Sequence, residues 1–236
     1  MLPAVNLTPP LLQPLDADLL VHLDPELLVV NKPAGLLTVP GRGTDKADCL
    51  AARVMACWPD ALVVHRLDMA TSGLVLFGRG AAMQRALSMA FEARAVHKRY
   101  VAVVAGQVLS DSGEIDLPLI ADWPNRPRQI VDLLHGKPSL TRWRVTKRDR
   151  QAGTTRLQLT PVTGRTHQLR VHLAAIGHPI LGDALYAPPS WAAAAPRLLL
   201  HAELLTLQRP ATGLSADQAS GLVAGQALHF ESGAPF

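Results

Sequence analysis

A chain of 236 residues suits one large domain or two small ones, and its 48% hydrophobic content is ample for a continuous core, which excludes intrinsic disorder. The net charge of +4 is unevenly spread: residues 61–172 hold 17 Lys/Arg against eight Asp/Glu, while residues 1–60 and 173–236 are both net negative. A basic block inside a globular chain marks a surface for a polyanion, with a solvated charged face as the ordinary alternative.

Residues 1–24, punctuated by Pro3, Pro9, Pro10 and Pro14, read as an extended N-terminal arm. They lack the charged-then-apolar pattern of an export signal, and no apolar run approaches the roughly 18 residues of a membrane span. A cytoplasmic protein without a membrane anchor is therefore expected. LLVVN (27–31) predicts a buried strand, followed by the Pro/Gly-marked loop KPAGLLTVPGRG. A helix over 45–57 would present Leu50, Val54 and Cys57 to the core. Cys49 and Cys57 fit no CxxC spacing and read as two reduced thiols. ALVVHR (61–66) and GLVLFGR (73–79) predict strands on either side of a loop that carries Asp68, and Met83, Leu87, Ala90 and Phe91 recur at a helical period within 80–94.

RYVAVVAG (99–106) is strand-like, and 107–140 is a long Pro/Gly-punctuated stretch containing WPNRPR. TRWRVTK (141–147) and TRLQLT (155–160) alternate polar and apolar residues, which implies a sheet with one wet face. THQLRVHLAAIG (166–177) predicts a short helix capped by Thr166, with Leu169, Leu173 and Ile176 on one stripe and Gly177 as its stop. RLLLHAELLTL (197–207) is a further strand, and an Ala/Gly/Ser-rich excursion over 211–228, to which no function is assigned, leads to ALHF. No repeat interrupts this order. The expectation is one α+β domain over 25–236 on a largely antiparallel sheet.

Several chemistries lack their residues. Ser72 stands in T-S-G and not in G-x-S-x-G, and GRG at 41–43 is followed by neither phosphate-loop pattern. His167, His172 and His178 do not share one helical face and H-E-x-x-H is absent, so no metal site is expected. Asp68 remains as the acid to explain. Between residues 49 and 88 the sole other carboxylate is Asp60, so the paired acids of an ordinary glycosidase are missing. A lone carboxylate among cations has its desolvation cost offset by them. It can attack an electrophilic carbon or shield an oxocarbenium centre, which suits bond exchange within a substrate whose leaving group never departs. On charge and spacing alone a structural ion pair between Arg66 and Asp68 stays open as the other reading.

VVHRLDMATSG (63–73) resembles the signature of the RluA-type pseudouridine synthases, which isomerise uridine in RNA. VVNKPAGLLTVPG (29–41), KRYVAVVAG (98–106) and PVTGRTHQLRVHLAAIGHPILGDALY (161–186) resemble three further family segments, in the family order. The resemblance implies the pseudouridine synthase fold, a mixed and mainly antiparallel sheet flanked by helices with a basic catalytic cleft, and no metal or organic cofactor. It implies Asp68 as the catalytic residue, with Arg66 entering the RNA helix where the target nucleotide left. Tyr100 would stack on uracil and move the C5 proton, Arg165 would pair with Asp68, and Leu169 would pack at the base pocket. No separate RNA-binding module of the kind with which many relatives begin is expected. This is similar to the short members, whose targets include the tRNA anticodon stem-loop and a 23S rRNA hairpin. A monomeric enzyme on structured RNA is expected. The rivals are a catalytically inactive RNA-binding or ribosome-assembly protein of the same fold and a nucleosidase that releases free uracil.

Overall fold

The computed structural model describes residues 13–43, 46–211 and 224–236. Residues 1–12 of the expected arm lie outside them; its later part, β1 (Leu20–Leu23), is an edge strand paired antiparallel with β2 (Leu27–Lys32). β1 alternates half-buried and exposed residues, the pattern of a strand with one wet face. The apolar run of β2 is covered on both faces, Leu27 and Val29 in one cluster and Leu28 and Val30 in another. α1 (Leu50–Cys57) packs Leu50 and Val54 into the second cluster. It is shorter than the predicted 45–57: the Cys49 Sγ caps it by accepting from the Ala52 N–H at 3.4 Å, and Cys57 ends exposed. β3 (Ala61–Val63) pairs with β4 (Ser72–Arg79), whose Leu74 and Leu76 join the first cluster and Val75 and Phe77 the second. α2 (Gly80–Glu92) closes the first cluster with Met83 and Leu87.

β5 (His97–Ala105) opens the other half of the sheet. The 107–140 stretch, which the sequence leaves without elements, holds β6 (Ser112–Asp116) and a small separate sheet of β7 (Leu119–Ala121) and β8 (Gln129–Val131). These strands are three to five residues long, too short to show periodicity. β9 (Leu140–Asp149) and β10 (Thr154–Pro161) follow as predicted, with Leu157 and Leu159 buried against Leu169 and Leu173 of α3 (Gln168–Ala175). α4 (Pro189–Ala192) is one turn, and β11 (Leu200–Gln208) and β12 (Ala227–Glu231) complete the sheet. Of the 211–228 excursion, residues 212–223 lie outside the described residues.

The main sheet runs β1-β2-β4-β11-β5-β10-β9-β6, with β3 added to β4 and β12 to β11. Every pairing is antiparallel except β4 with β11, so the sheet is mixed and mainly antiparallel. That parallel contact decides where the functional groups meet. Gly73 on β4 pairs with Ala202 on β11, and Ala202 pairs in turn with Tyr100 on β5. A Cβ at residue 73 would lie 2.3 Å from the Ala202 carbonyl oxygen, and φ is +116° there, so glycine alone permits the close approach.

Candidate active site

Asp68 sits in the loop between β3 and β4, and the residues flanking it are pinned from below by the loop after β2. Thr38 Oγ1 donates to the Leu67 carbonyl at 2.8 Å and accepts from its N–H at 3.2 Å. The Met69 carbonyl accepts from the Gly35 N–H at 2.8 Å and from Lys32 Nζ at 3.2 Å. Lys32 is 0% exposed and gives its other two ammonium protons to the Pro33 and Leu36 carbonyls. Burial pushes its pKa down to about 7, Asp68 acting in the other direction and Arg197 adding to the fall. The KPAGLLT loop is therefore the floor on which the aspartate stands. His65 anchors the near side: its Nε2 accepts from the Leu76 N–H at 3.0 Å, and its ring stacks on Phe91 at 4.5 Å.

The opposite wall is the turn into α3. Gln168 is buried, accepts from Thr163 Oγ1 and the Arg165 N–H, and donates to the Leu140 carbonyl and Thr141 Oγ1. These bonds fasten the PVTGRTH turn to β9. The N-cap of α3 is His167, in the left-handed region at φ 54°, and not the predicted Thr166; no side-chain cap bond forms. Sequence reasoning sees a good capping residue, but the buried Gln168 sets the entry of the chain instead.

All five residues expected from the sequence line one cavity of about 780 Å³: Arg66, Asp68, Tyr100, Arg165 and Leu169. Arg66 is exposed at the mouth, and Leu169 is 6% exposed beneath, in the cluster against which Tyr100 packs. Arg94, Lys98, Arg142 and Arg170 face the same space, which makes it strongly basic. The predicted partnership of Arg165 with Asp68 is the one that the structure does not form. Arg165 is exposed and directs its Nε to the Pro138 carbonyl at 3.3 Å. Arg170 takes the place beside Asp68, Nη1 to Oδ2 at 3.7 Å, while His167 Nε2 lies 3.9 Å from Oδ1. The second arginine of GRTHQLR reaches the aspartate because α3 has begun: Arg170 lies in its first turn, three residues after the N-cap His167. That spacing was the available signal for both residues.

The electrostatics follow from enclosure. Burial raises the pKa of the Tyr100 phenol, and the negative charge of Asp68 raises it further, so the hydroxyl keeps its proton well above neutral pH. Burial lowers His167, against the pull of Asp68, which leaves a neutral imidazole at pH 7. Burial opposes the charge on Arg170, but its hydrogen bonds to Asp183 and then the nearby carboxylates raise its pKa. His172 and His178, the other histidines of the motif, are spent on structure: His172 meets Thr141 Oγ1 and the Leu117 carbonyl, and His178 the Ala105 carbonyl. A fixed anion, a neutral phenol and a ring of cations in one cleft can bind a polyanion and stabilise positive charge at one carbon of it.

The family model described as RNA pseudouridylate synthase matches residues 26–175. A dual-specificity RNA pseudouridine synthase RluA of Escherichia coli K12 is 50% identical over 196 residues, 83% of this chain and 89% of that one. The protein of the same name from Vibrio cholerae is 50% identical over 190 residues, 80% and 77% of the two chains, and that from Pasteurella multocida 48% over 208 residues, 88% and 93%. Among solved structures, human RNA pseudouridylate synthase domain containing 1 superposes with a TM-score of 0.72 at 26% identity, covering 92% of this chain and 83% of its own.

Proposed function

The chain belongs to the RNA pseudouridylate synthase family, and from that premise we propose that it isomerises uridine in two kinds of structured RNA, a tRNA anticodon stem-loop and a 23S rRNA hairpin, with Asp68 as the catalytic residue. The observation that carries this reading is the Asp68 carboxylate facing Arg170 and His167 inside a basic cleft that also holds the Tyr100 phenol. The two RNA classes come from the sequence resemblance to the short family members, and the relatives named dual-specificity fit a pair of targets.

The reaction breaks N1–C1′, forms C5–C1′, takes a proton from C5 and leaves one on N1. Nothing else is consumed, so the protein supplies positioning and charge. Extruding a stacked nucleotide costs a few kcal/mol. Stacking on Tyr100 returns about 1 to 3 kcal/mol of it, with Leu169 packed behind. Arg66, exposed at the mouth, is placed to fill the vacated helix. Because burial and Asp68 both hold Tyr100 protonated, its part is to stack and to offer or relay a proton, not to act as a phenolate base. We propose that the protein acts as a monomer, through a catalytic domain over 25–236 that gains β1 as an edge strand. No helix among the described residues is long and apolar enough to cross a membrane, and we place the enzyme in the cytoplasm with its RNA.

The RNA grip extends from the cleft to the β7–β8 arm, where Trp123 is 66% exposed and the Arg126 guanidinium lies 4.4 Å from its ring centroid. The basic run at 141–150 contributes less than its charge suggests. Arg142 pairs with Glu114, and Arg148 with Asp111 and three neighbouring carbonyls.

The test is tritium release from [5-3H]uridine-labelled tRNA and 23S rRNA transcripts, with free uracil measured in parallel. The wild-type protein releases tritium and no uracil. Asp68→Asn releases neither and binds RNA within tenfold of wild type, because the loss falls on transition-state charge and not on phosphate contacts. Binding without tritium release by the wild type would establish the inactive RNA-binding protein instead, and free uracil the nucleosidase.

A further inference from the structure

The turn Asp183–Tyr186 touches both groups that face Asp68, Arg170 and His167. Asp183 is 1% exposed and grips Arg170 with two oxygens, Nε to Oδ2 at 2.8 Å and Nη2 to Oδ1 at 2.6 Å. Its Oδ1 also accepts from the Leu185 and Tyr186 N–H groups at 2.9 and 3.2 Å, so the carboxylate is held by the turn that it begins. Nη1 is the nitrogen left towards Asp68, and at 3.7 Å it stops short of a hydrogen bond.

The second arm runs through Tyr186, whose ring also lies under the Arg170 guanidinium at 5.1 Å. The Tyr186 hydroxyl accepts from the Gln129 N–H at 2.8 Å and meets His167 Nδ1 at 2.7 Å, and we assign its own proton to that second bond. Nδ1 is then an acceptor, and the neutral ring carries its proton on Nε2, the nitrogen 3.9 Å from Asp68 Oδ1. Both oxygens of Asp68 thus face an N–H donor that is close enough to act electrostatically and too far to bond.

We propose that the Asp183–Tyr186 turn is a positioning unit for the isomerisation. Asp183 through Arg170, and Tyr186 through His167, hold two donors off the Asp68 oxygens, so that the carboxylate is neutralised at a distance while its lone pairs stay open to the nucleoside. The proposal rests on Asp68 being the catalytic residue. Remove Asp183 and Arg170 is free to close on Asp68 in the two-pronged geometry that guanidinium and carboxylate prefer, which would occupy both carboxylate oxygens. Remove the Tyr186 hydroxyl and His167 is free to carry its proton on Nδ1 and turn a lone pair towards an anion. Among the described residues, the other charged or polar groups that face Asp68, Lys32 below, Arg66 on its own loop and Tyr100 on β5, are untouched by either change.

The experiment compares Tyr186→Phe and Asp183→Asn with wild type and Asp68→Asn in single-turnover tritium release, together with RNA affinity and the ring nitrogen resonances of His167. The expected kcat losses are about tenfold for Tyr186→Phe and about a hundredfold for Asp183→Asn, the scale of a displacement near 1 Å, with RNA affinity within threefold. In wild type the His167 resonances report Nε2 protonated, and in Tyr186→Phe a mixture of the two forms. Should Asp183→Asn not fold, the rate and ring signature of Tyr186→Phe decide alone. Wild-type rates in the variants beside an inactive Asp68→Asn, or a wild-type ring protonated at Nδ1, overturn the proposal by itself. Turnover by Asp68→Asn overturns the catalytic assignment and the proposal with it.

Discussion

Arg170 holds Nη1 3.7 Å from Oδ2 of Asp68, closer than any other guanidinium among the described residues. Arg165, five residues earlier in the same motif, is turned towards Pro138 at the rim. The two arginines therefore separate by kind of defect. Arg170→Lys keeps a charge but loses the fork that Asp183 grips, and its kcat should fall about a hundredfold with little change in RNA affinity. Arg165→Lys should keep kcat within threefold. Single-turnover rates at saturating enzyme check both, and an equal fall in the two variants would return Arg165 to the aspartate.

Tyr100→Phe isolates the hydroxyl from the ring. Leu169 and its cluster support the ring from one side, so the phenylalanine variant keeps the stacking surface and RNA affinity should stay within about threefold. A hydroxyl that only fills space would leave kcat unchanged as well. If it offers or relays a proton, kcat falls by tenfold or more. Because burial and Asp68 hold the phenol protonated, the wild-type rate should show no loss of activity from Tyr100 ionisation below pH 10.

The parts of this architecture that were legible in the sequence are those with long periodic signals or fixed short motifs. β2, β4, β5, β9 and β10 and helix α2 appear where apolar runs or alternation place them, and the resemblance of HRLD to a family signature singles out Asp68, which lines the cleft. The short strands within 107–140 were hidden because three-residue strands carry no period, and their register comes from tertiary pairing. The choice between Arg165 and Arg170 was hidden for a different reason. It depends on where α3 begins, and that is fixed by the buried amide of Gln168 bonding across to β9, a contact that no local propensity encodes. Lys32 illustrates a third case: NKPAG reads as strand end and loop, while its ammonium is the buried clamp on the carbonyl after Asp68.

Salt dependence tests the cleft as a phosphate surface. Arg66, Arg94, Lys98, Arg142, Arg165 and Arg170 line one space, but Arg142 is paired with Glu114 and Arg170 with Asp183, which leaves about four cations for phosphates. Counterion release then predicts that log K falls with log salt at a slope between about −2.5 and −4, depending on whether the contacts are single- or double-stranded. Fluorescence anisotropy of a labelled stem-loop from 50 to 300 mM salt measures it, and Lys98→Gln should reduce the slope by about one unit. A flat response would place the RNA on another face.

His65 makes the active-site loop sensitive to acid. Its Nε2 must be unprotonated to accept from the Leu76 N–H, and burial, with the charge of Lys98 adding to it, pushes the pKa from 6.5 down to about 3. Above pH 6.5 neither the folded nor the unfolded chain protonates this residue, so the stability is fully present. Below it the unfolded chain takes up a proton that the folded ring refuses until about pH 3, and stability falls across that window. Between pH 6.5 and 4.5 the loss from this one group should be about 2 kcal/mol. His167, His172 and His201 are also lowered by burial and add to the wild-type slope, so the diagnostic is a difference between proteins. His65→Gln keeps an acceptor for Leu76 and cannot titrate. Urea unfolding at the two pH values should show its stability falling by about 2 kcal/mol less than wild type. Parallel pH profiles would mean that the His65 ring reaches solvent and does not anchor the Asp68 loop by a refused proton.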